Sequence, residues 1–287
     1  MKTYLSLALK FVIGILCIPI FSALPIMFLN GIHLNWHTYW KALSTIVHSV
    51  SHLPNMIYTE KYASSYKVFP TYWEFYFYSL TIFIAAFLVA LLVGLILTYL
   101  TVLQSNRTID RISKFLSFFE SIPDLFFIFC LNSIVIYIFQ KTGILFVNIA
   151  GAFDKVYLLP IVTLAVIPSI LLFRIFLLAV TQESLELYVD LAKTKGLAKS
   201  RIILVHIYRN ALITLASHLK SIFFFMFSSL VMVEYLFNIY GITYYVMDHL
   251  KLDIFAVTIL LFYVPIFLVM AVIQIAAERL TGRRVAI

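Results

Sequence analysis

Long, unbroken apolar runs constrain the fold of this chain more than any other feature of its sequence. A helix needs about 20 apolar residues to cross the hydrocarbon core of a bilayer, and six runs reach about that length. They lie near Leu7–Leu29, Phe75–Leu100, Phe115–Phe139, Val156–Thr181, Ser217–Phe237 and Ile254–Ala277. Only 12% of the residues are charged and 63% are hydrophobic, whereas soluble domains carry about 25% charged residues. We therefore predict an all-α, polytopic membrane protein with six transmembrane helices.

The first apolar run lies where a secretory signal peptide would lie. It is longer than the apolar part of a typical signal peptide, and no clear small-x-small cleavage pattern precedes Asn30. We expect it to be retained as the first transmembrane helix. A long external segment then extends to Glu74 and contains a predicted helix over Trp36–Val50.

The basic residues predict the orientation of the chain. With the N-terminus inside, the cytoplasmic segments hold roughly twice as many Lys and Arg residues as the external ones, as the positive-inside rule requires. Both termini are therefore predicted to be cytoplasmic. The formal charge of +8 is then explained by attraction to the anionic cytoplasmic leaflet, and nucleic-acid binding is not expected.

The polar segment 182–216 is the main predicted internal loop. Its first half repeats apolar and polar residues at helical spacing, and Gly196 interrupts this pattern as a helix C-terminal glycine does. A second helix is predicted to follow, on which His206, Arg209 and Asn210 form one polar stripe. Two short helices joined by a glycine elbow would make a stiff projection under the membrane. The simpler alternative is a solvated connector between two spans.

Two stretches of this segment, YVDLAKTKGL and RIILVHIYRNAL, resemble the EAA loop of permease subunits in binding-protein-dependent ABC importers. The resemblance is closest to the dipeptide/oligopeptide/nickel branch. The matching positions are Tyr188, Val189, Ala192, Lys195, Gly196, Leu197, His206, Arg209, Asn210, Ala211 and Leu212. Arg174, Glu234 and Asp253 also match family positions in the expected order. Thr214 departs from the family, which usually has a proline there.

The resemblance implies a type I ABC importer permease fold, with residues 75–287 as the five-helix core and residues 1–74 as an added first helix and external loop. Residues 182–216, called the coupling loop below, would transmit movement from a cytoplasmic ATPase. The residues implied in this contact are Tyr188, Asp190, Ala192, Lys193, Lys195, Gly196, Leu197, His206, Arg209 and Asn210. No catalytic residue and no cofactor is expected in this chain, because ATP and Mg²⁺ would bind to partner subunits.

The implied function is half of a translocation pathway for peptides or a similar small solute, working by alternating access in the bacterial cytoplasmic (inner) membrane. Nickel or a metallophore complex stays open as cargo. The implied partners are a sibling permease, two cytoplasmic ABC ATPases and an external substrate-binding protein. No GxxxxGK[ST] phosphate loop occurs in the sequence, so the chain is not expected to power transport by nucleotide hydrolysis itself. The alternative is a stand-alone secondary transporter or channel, which would predict pseudo-symmetric halves.

Ionisable residues within membrane spans are functional candidates by default. The pathway or gate candidates are Glu120, Asp124, Arg174, Glu234 and Asp253. Glu120 and Asp124 are predicted to share one face of the third transmembrane helix. They would either be wetted or paired with nearby basic residues at the interface, or line the pathway and favour cationic cargo. Arg174 is expected to form an ion pair with another span, and Glu234 to act as a gate or packing residue.

Two pairs of external histidines have the i, i+4 spacing that could bind a metal ion. They are His33 with His37, and His48 with His52. Aromatic residues interleave with the first pair, which indicates an interfacial amphipathic helix, and neither pair has an accompanying Cys or Asp. No metal site is expected, and the four histidines remain weak candidates.

Overall fold

The computed structural model describes residues 2–28, 34–59, 65–120, 122–143 and 155–282. The helices are α1 (Lys2–Ala23), α2 (Trp36–Ser51), α3 (Thr71–Val102), α4 (Asn106–Glu120), α5 (Asp124–Thr142), α6 (Leu158–Glu183), α7 (Leu187–Thr194), α8 (Lys199–Arg201), α9 (Tyr208–Leu236), α10 (Ile242–Asp248) and α11 (Leu252–Thr281). Short 3₁₀ turns cover Leu24–Phe28 and Leu53–Asn55, and one π-helical turn covers Ile202–Ile207. Two strands, β1 (Ile57–Thr59) and β2 (Ser65–Lys67), pair antiparallel with Tyr58 opposite Tyr66.

Within the described residues, six helical segments are long and apolar enough to cross a membrane. They are Tyr4–Phe28, Thr71–Val102, Asp124–Thr142, Leu158–Glu183, Lys199–Leu236 and Leu252–Arg279. Large apolar side chains such as Leu92, Phe129 and Phe224 are exposed on them, as a lipid-facing surface requires. The prediction of an all-α chain with six spans is confirmed.

The third span begins later than predicted. The apolar run Phe115–Phe139 is divided between α4 and α5, because Pro123 has no backbone N–H and disfavours helical backbone at the residue before it. The turn closes through a bond from the Ile122 N–H to the Phe119 carbonyl, at 3.2 Å. The prediction that Glu120 and Asp124 share one helix face is therefore wrong, since Glu120 ends α4 and Asp124 begins α5.

The fifth span begins earlier than the predicted Ser217. Helical backbone runs from Lys199 to Leu236 without interruption, because this stretch contains neither proline nor glycine. Its π-helical turn buries Ile202 and Ile207, which are five residues apart, on the same side. That spacing suits i→i+5 hydrogen bonding. The second helix expected in the coupling loop is thus the start of the fifth transmembrane helix.

The chain forms two compact units. The first comprises residues 1–80 and 240–271, and the second comprises residues 81–239 and 272–287. In the first unit α2 packs on α1, and their apolar core contains Ala23, Met27, Tyr39, Ile46 and Ala256. The helix predicted over Trp36–Val50 is therefore present as α2, and its buried face packs in this core.

Two tyrosine hydroxyls bind α3 to α11 in the first unit. The Tyr72 hydroxyl donates to Thr258 Oγ1 at 2.9 Å, and the Tyr76 hydroxyl donates to the Leu261 carbonyl at 2.8 Å. In apolar surroundings each of these donors needs a partner, because an unpaired buried polar group is costly. These bonds fix the register of the two helices.

In the second unit α6 packs against α9, and α3 closely approaches α6. A Cβ atom added at Gly94 would lie 3.0 Å from Leu172 Cβ and 3.2 Å from the Phe173 backbone nitrogen. Glycine at this position permits the close approach, as small residues do between membrane helices. The packed core of α3, α6 and α9 supports the coupling loop described next.

Candidate functional site

The first helix of the coupling loop, α7, ends in a tight glycine turn. Gly196 has φ +74°, its N–H donates to the Lys193 carbonyl at 2.9 Å, and the Leu197 N–H donates to the Ala192 carbonyl at 3.3 Å. This pair of bonds is the Schellman motif, in which the residue with positive φ is usually glycine. The elbow predicted at Gly196 is therefore present, and it separates α7 from the helix that begins at Lys199.

Helix α7 has one buried face and one exposed face. Val189 (2% exposed) and Ala192 are buried, and α7 packs against the π-helical turn. Leu187 (85% exposed) and Leu191 (58% exposed) lie one turn apart on the opposite side. The two leucines therefore form a small exposed apolar surface on an otherwise polar loop. We call Leu187 and Leu191 the leucine face.

Leu187 and Leu191 were not among the predicted site residues. Their i, i+4 spacing was the available signal. Whether such a face is buried in the chain itself or left for a partner depends on which side meets the π-helical turn. That is a property of the tertiary structure and cannot be obtained from spacing.

Tyr188 connects α7 to both neighbouring membrane helices. Its hydroxyl donates to Glu183 Oε2 at 2.7 Å, at the end of α6, and its side chain also bonds to Asn210 near the start of α9. Burial, and then the bond to Glu183, raise the pKa of Tyr188 to about 12. The hydroxyl therefore stays protonated at physiological pH. Two predicted residues, Tyr188 and Asn210, are thus brought together, and Glu183 was missed.

Two further bonds connect the coupling loop to α3. Lys199 Nζ donates to the Leu103 carbonyl at 3.1 Å, just beyond the end of α3. The Tyr208 hydroxyl donates to the Leu95 carbonyl at 3.1 Å. Together with the Tyr188 contacts, these bonds connect the loop to three membrane helices. The loop is a stiff extension of the bundle, and the interpretation as a solvated connector is not supported.

The outer surface of the coupling loop is basic. Lys193 and Asp190 form an exposed ion pair at 2.8 Å. The side chains of Lys195, Lys199, Arg201 and Arg209 are exposed, while His206 is half-buried. The exposed cations near the leucine face favour contact with an acidic surface, because complementary charge guides association.

Among the pathway candidates, Asp124 has a well-defined partner. It is the first residue of α5, and its Oδ2 accepts a hydrogen bond from Ser229 Oγ on α9 at 2.7 Å. This contact binds the start of α5 to α9. The side chain of Glu120 lies outside the described part of the structure, so its role stays a prediction.

The other three candidates lie on separate elements. Arg174 is half-buried on α6, and Glu234 is 1% exposed near the end of α9. Asp253 lies in the first turn of α11, where its Oδ2 accepts from Ser49 Oγ at 3.3 Å and its Oδ1 accepts from the Ile254 N–H at 3.0 Å. The predicted ion pair of Arg174 and the gating role of Glu234 remain predictions.

A cavity in the first unit, with a volume of about 290 Å³, was not predicted from the sequence. It is lined by Tyr58, Tyr66, Lys67, Thr71, Phe75, Tyr240, Tyr244, Tyr245, Asp248 and His249. The Tyr245 ring stacks on His249 at a centroid distance of 4.3 Å, and the Tyr58 ring meets His249 edge-on at 4.3 Å. Burial raises the pKa of Tyr245. The aromatic density of the flanking loops was the available signal in the sequence.

The histidine candidates can be placed only in part. His48 and His52 stack at 4.6 Å on the exposed side of α2, His37 is exposed near its start, and His33 lies outside the described residues. Over the described ranges, no three His, Cys, Asp or Glu side chains gather into a metal-binding group. Metal ligation by these histidines stays an untested prediction.

Comparison with known proteins gives a family match and a similar transport protein. Residues 90–282 match the family described as "Binding-protein-dependent transport system inner membrane component". The chain is also 32% identical over 107 residues to the "Dipeptide transport system permease protein DppB" of Haemophilus influenzae. That alignment covers 36% of this chain and 32% of the relative, so the chain spans about a third of the relative's length.

Proposed function

The chain belongs to the family of inner membrane components of binding-protein-dependent transport systems, and from this premise we propose that it couples ATP hydrolysis on partner subunits to solute import. Members of this family are transport subunits of ABC importers and not enzymes. This chain is accordingly a multi-pass membrane permease subunit with the type I importer fold. The proposal concerns its mechanism, its partners and its cargo.

The observation that carries the proposal is the leucine face on a stiff loop. Leu187 and Leu191 are exposed although α7 buries Val189 and Ala192 against its own chain. A few residues that become fully buried against the partner contribute most of the affinity in protein interfaces. We propose that the leucine face lies in a groove of a cytoplasmic ATPase, with the surrounding Lys and Arg side chains near acidic residues of that groove.

Movement of the ATPase would reach the membrane through rigid connections. The Tyr188 hydroxyl bond to Glu183 joins α7 to α6, and the Asn210 bond joins α7 to α9. The helix from Lys199 to Leu236 continues from the loop into the membrane without a break. Closure of two ATPases on ATP and Mg²⁺ would therefore shift α6 and α9 together and open the pathway to the other side.

The proposed complex contains this chain, a sibling permease, two ATPases and an external substrate-binding protein, in a bacterial cytoplasmic membrane. Peptides are the proposed cargo, because the similar protein from Haemophilus influenzae is described as a dipeptide transport system permease. Oligopeptides belong to the same proposed class. Nickel is the less supported cargo, since no three-residue metal-binding group occurs over the described ranges.

A pull-down of the tagged full chain from its native membrane tests the proposal. We expect a Walker-motif ATPase to be recovered with the wild type and to be at least about tenfold depleted in Leu187→Ala/Leu191→Ala, since truncated anchors cost more than about 1 kcal/mol each. The control is Leu92→Ala/Leu268→Ala, which removes two exposed leucines from membrane spans. Equal ATPase recovery with both double variants would overturn the proposed contact.

A further inference from the structure

Helix α4 is expected to lie at the membrane surface. It has 15 residues and is therefore about 22 Å long, which is too short to cross a hydrocarbon core of about 30 Å. Residues 103–105 connect it to α3 and residues 121–123 connect it to α5, and both neighbours are membrane spans. Three extended residues reach only about 10 Å, so both ends of α4 are held close to the ends of membrane helices.

The side of the membrane on which α4 would lie is given by a contact between the coupling loop and the connection that precedes α4. Lys199 Nζ donates to the carbonyl of Leu103, three residues before α4 begins. The start of α4 and the coupling loop therefore lie at the same face of the bilayer. All of these residues belong to the second unit.

Helix α4 has one packed face and one exposed face. Leu116 is buried, Ile109 and Ile112 are half-buried, and α4 packs against α6. The exposed face carries three cations and two aromatic rings, Phe115 being 62% and Phe118 63% exposed. We call this set the basic-aromatic face, and its residues are Arg107, Arg111, Lys114, Phe115 and Phe118.

We propose that the basic-aromatic face is a binding site for anionic phospholipid headgroups of the leaflet on the coupling-loop side. The two phenylalanine rings would enter the boundary between headgroups and acyl chains, as apolar residues of interfacial helices do. Arg107 and Arg111 would bind phosphate oxygens through paired N–H donors, a geometry that guanidinium offers and ammonium does not. The exposed Asp110 offsets one of the three cations and leaves the face positive.

A lipid fits this face better than a protein partner does. The short connections at both ends hold α4 at the level of the bilayer surface, where phospholipid headgroups are the nearest anions. The two exposed phenylalanines share the face with the cations, and at this level one face can place aromatic rings among acyl chains and cations among headgroups. The proposal is independent of the cargo and of the ATPase contact.

The test uses the full chain in nanodiscs of phosphatidylcholine with increasing fractions of brominated phosphatidylglycerol. Phe118→Trp supplies a fluorescent reporter on α4, and the signal of the three native tryptophans is subtracted with the wild type. We expect brominated phosphatidylglycerol to quench the reporter at a lower lipid fraction than brominated phosphatidylcholine does. Adding Arg107→Gln/Arg111→Gln to the reporter variant should raise the fraction of brominated phosphatidylglycerol at which half of the fluorescence is quenched. We expect an increase of about fivefold per arginine, which is the effect of one basic residue at an anionic surface.

Two control variants separate the headgroup site from general charge attraction. Arg107→Lys/Arg111→Lys keeps the charge but loses the paired N–H donors, so it should weaken the preference, though less than Arg107→Gln/Arg111→Gln does. Lys41→Gln/Lys67→Gln removes two exposed cations of the first unit and should leave quenching of the α4 reporter unchanged. The proposal is overturned if both brominated lipids quench equally, or if the Arg→Gln pair has no larger effect than the Lys→Gln pair. Loss of lipid quenching when purified ATPase is added would also overturn it, in favour of a protein partner.

Discussion

At the scale of single residues, Tyr188 connects the coupling loop to the membrane helices. Sequence matching identified Tyr188 and Asn210 as site residues. It could not identify Glu183, because a bond between residues five apart across a helix end depends on how the chain turns at Ser184. The hydroxyl bond of 2.7 Å and the half-buried position of Tyr188 make this contact a defined link.

Tyr188→Phe removes this link while keeping the ring. A bond to a charged group contributes about 1.5–3 kcal/mol, and partial exposure places this one toward the lower end. We expect a melting temperature lower by a few degrees and slower ATP-dependent uptake. Tyr235→Phe, at a strongly exposed tyrosine of α9, is the matched control and should change neither. Unchanged melting and uptake in Tyr188→Phe would show that the link is dispensable.

The same residue allows a prediction about pH. The pKa of Tyr188 is raised in the folded state to about 12 from an ordinary value of 10.0. Its contribution to stability is therefore fully present below pH 10 and is lost as the pH rises toward about 12. Between about pH 6 and 9 we expect the melting temperatures of the wild type and Tyr188→Phe to differ by a constant amount. A difference that disappears within this range would contradict the assignment.

At the scale of elements, the residues at which helices end determine the conformation of the loops that follow. The sequence correctly predicted the elbow at Gly196, since glycine is the residue that takes positive φ without strain. It did not predict the separation of α4 from α5, although Pro123 was the signal, because the apolar run continued across it. The π-helical turn at Ile202–Ile207 had no signal in the sequence.

A comparison of two glycines tests the elbow. Gly196 (φ +74°) and Gly143 (φ +66°) both end a helix, and an added Cβ would meet nothing within 4 Å at either position. Valine at either position should therefore cost a similar amount, about 1–2 kcal/mol for the left-handed backbone. We expect Gly196→Val to uncouple ATP hydrolysis from uptake and Gly143→Val to leave coupling intact. Similar uptake per ATP in both variants would contradict a mechanical role of the elbow.

At the scale of the whole molecule, hydropathy was sufficient to predict six spans, because bilayer thickness sets a minimum length for each apolar helix. The β1–β2 hairpin and α10 were missed, since short elements in water depend on tertiary contacts. One example is the bond from the Ile242 N–H to Ser79 Oγ at 2.7 Å, which joins residues distant in sequence. The aromatic cavity was missed for the same reason.

The most direct test of the central claim is dipeptide uptake by the complete transporter in proteoliposomes. The complex would contain this chain with its sibling permease, the two ATPases and the binding protein, and uptake would be measured with and without ATP. We expect uptake that requires ATP and that Leu187→Ala/Leu191→Ala abolishes while Leu92→Ala/Leu268→Ala preserves it. Uptake by the chain alone in the absence of ATP would contradict the coupling mechanism and indicate a secondary transporter.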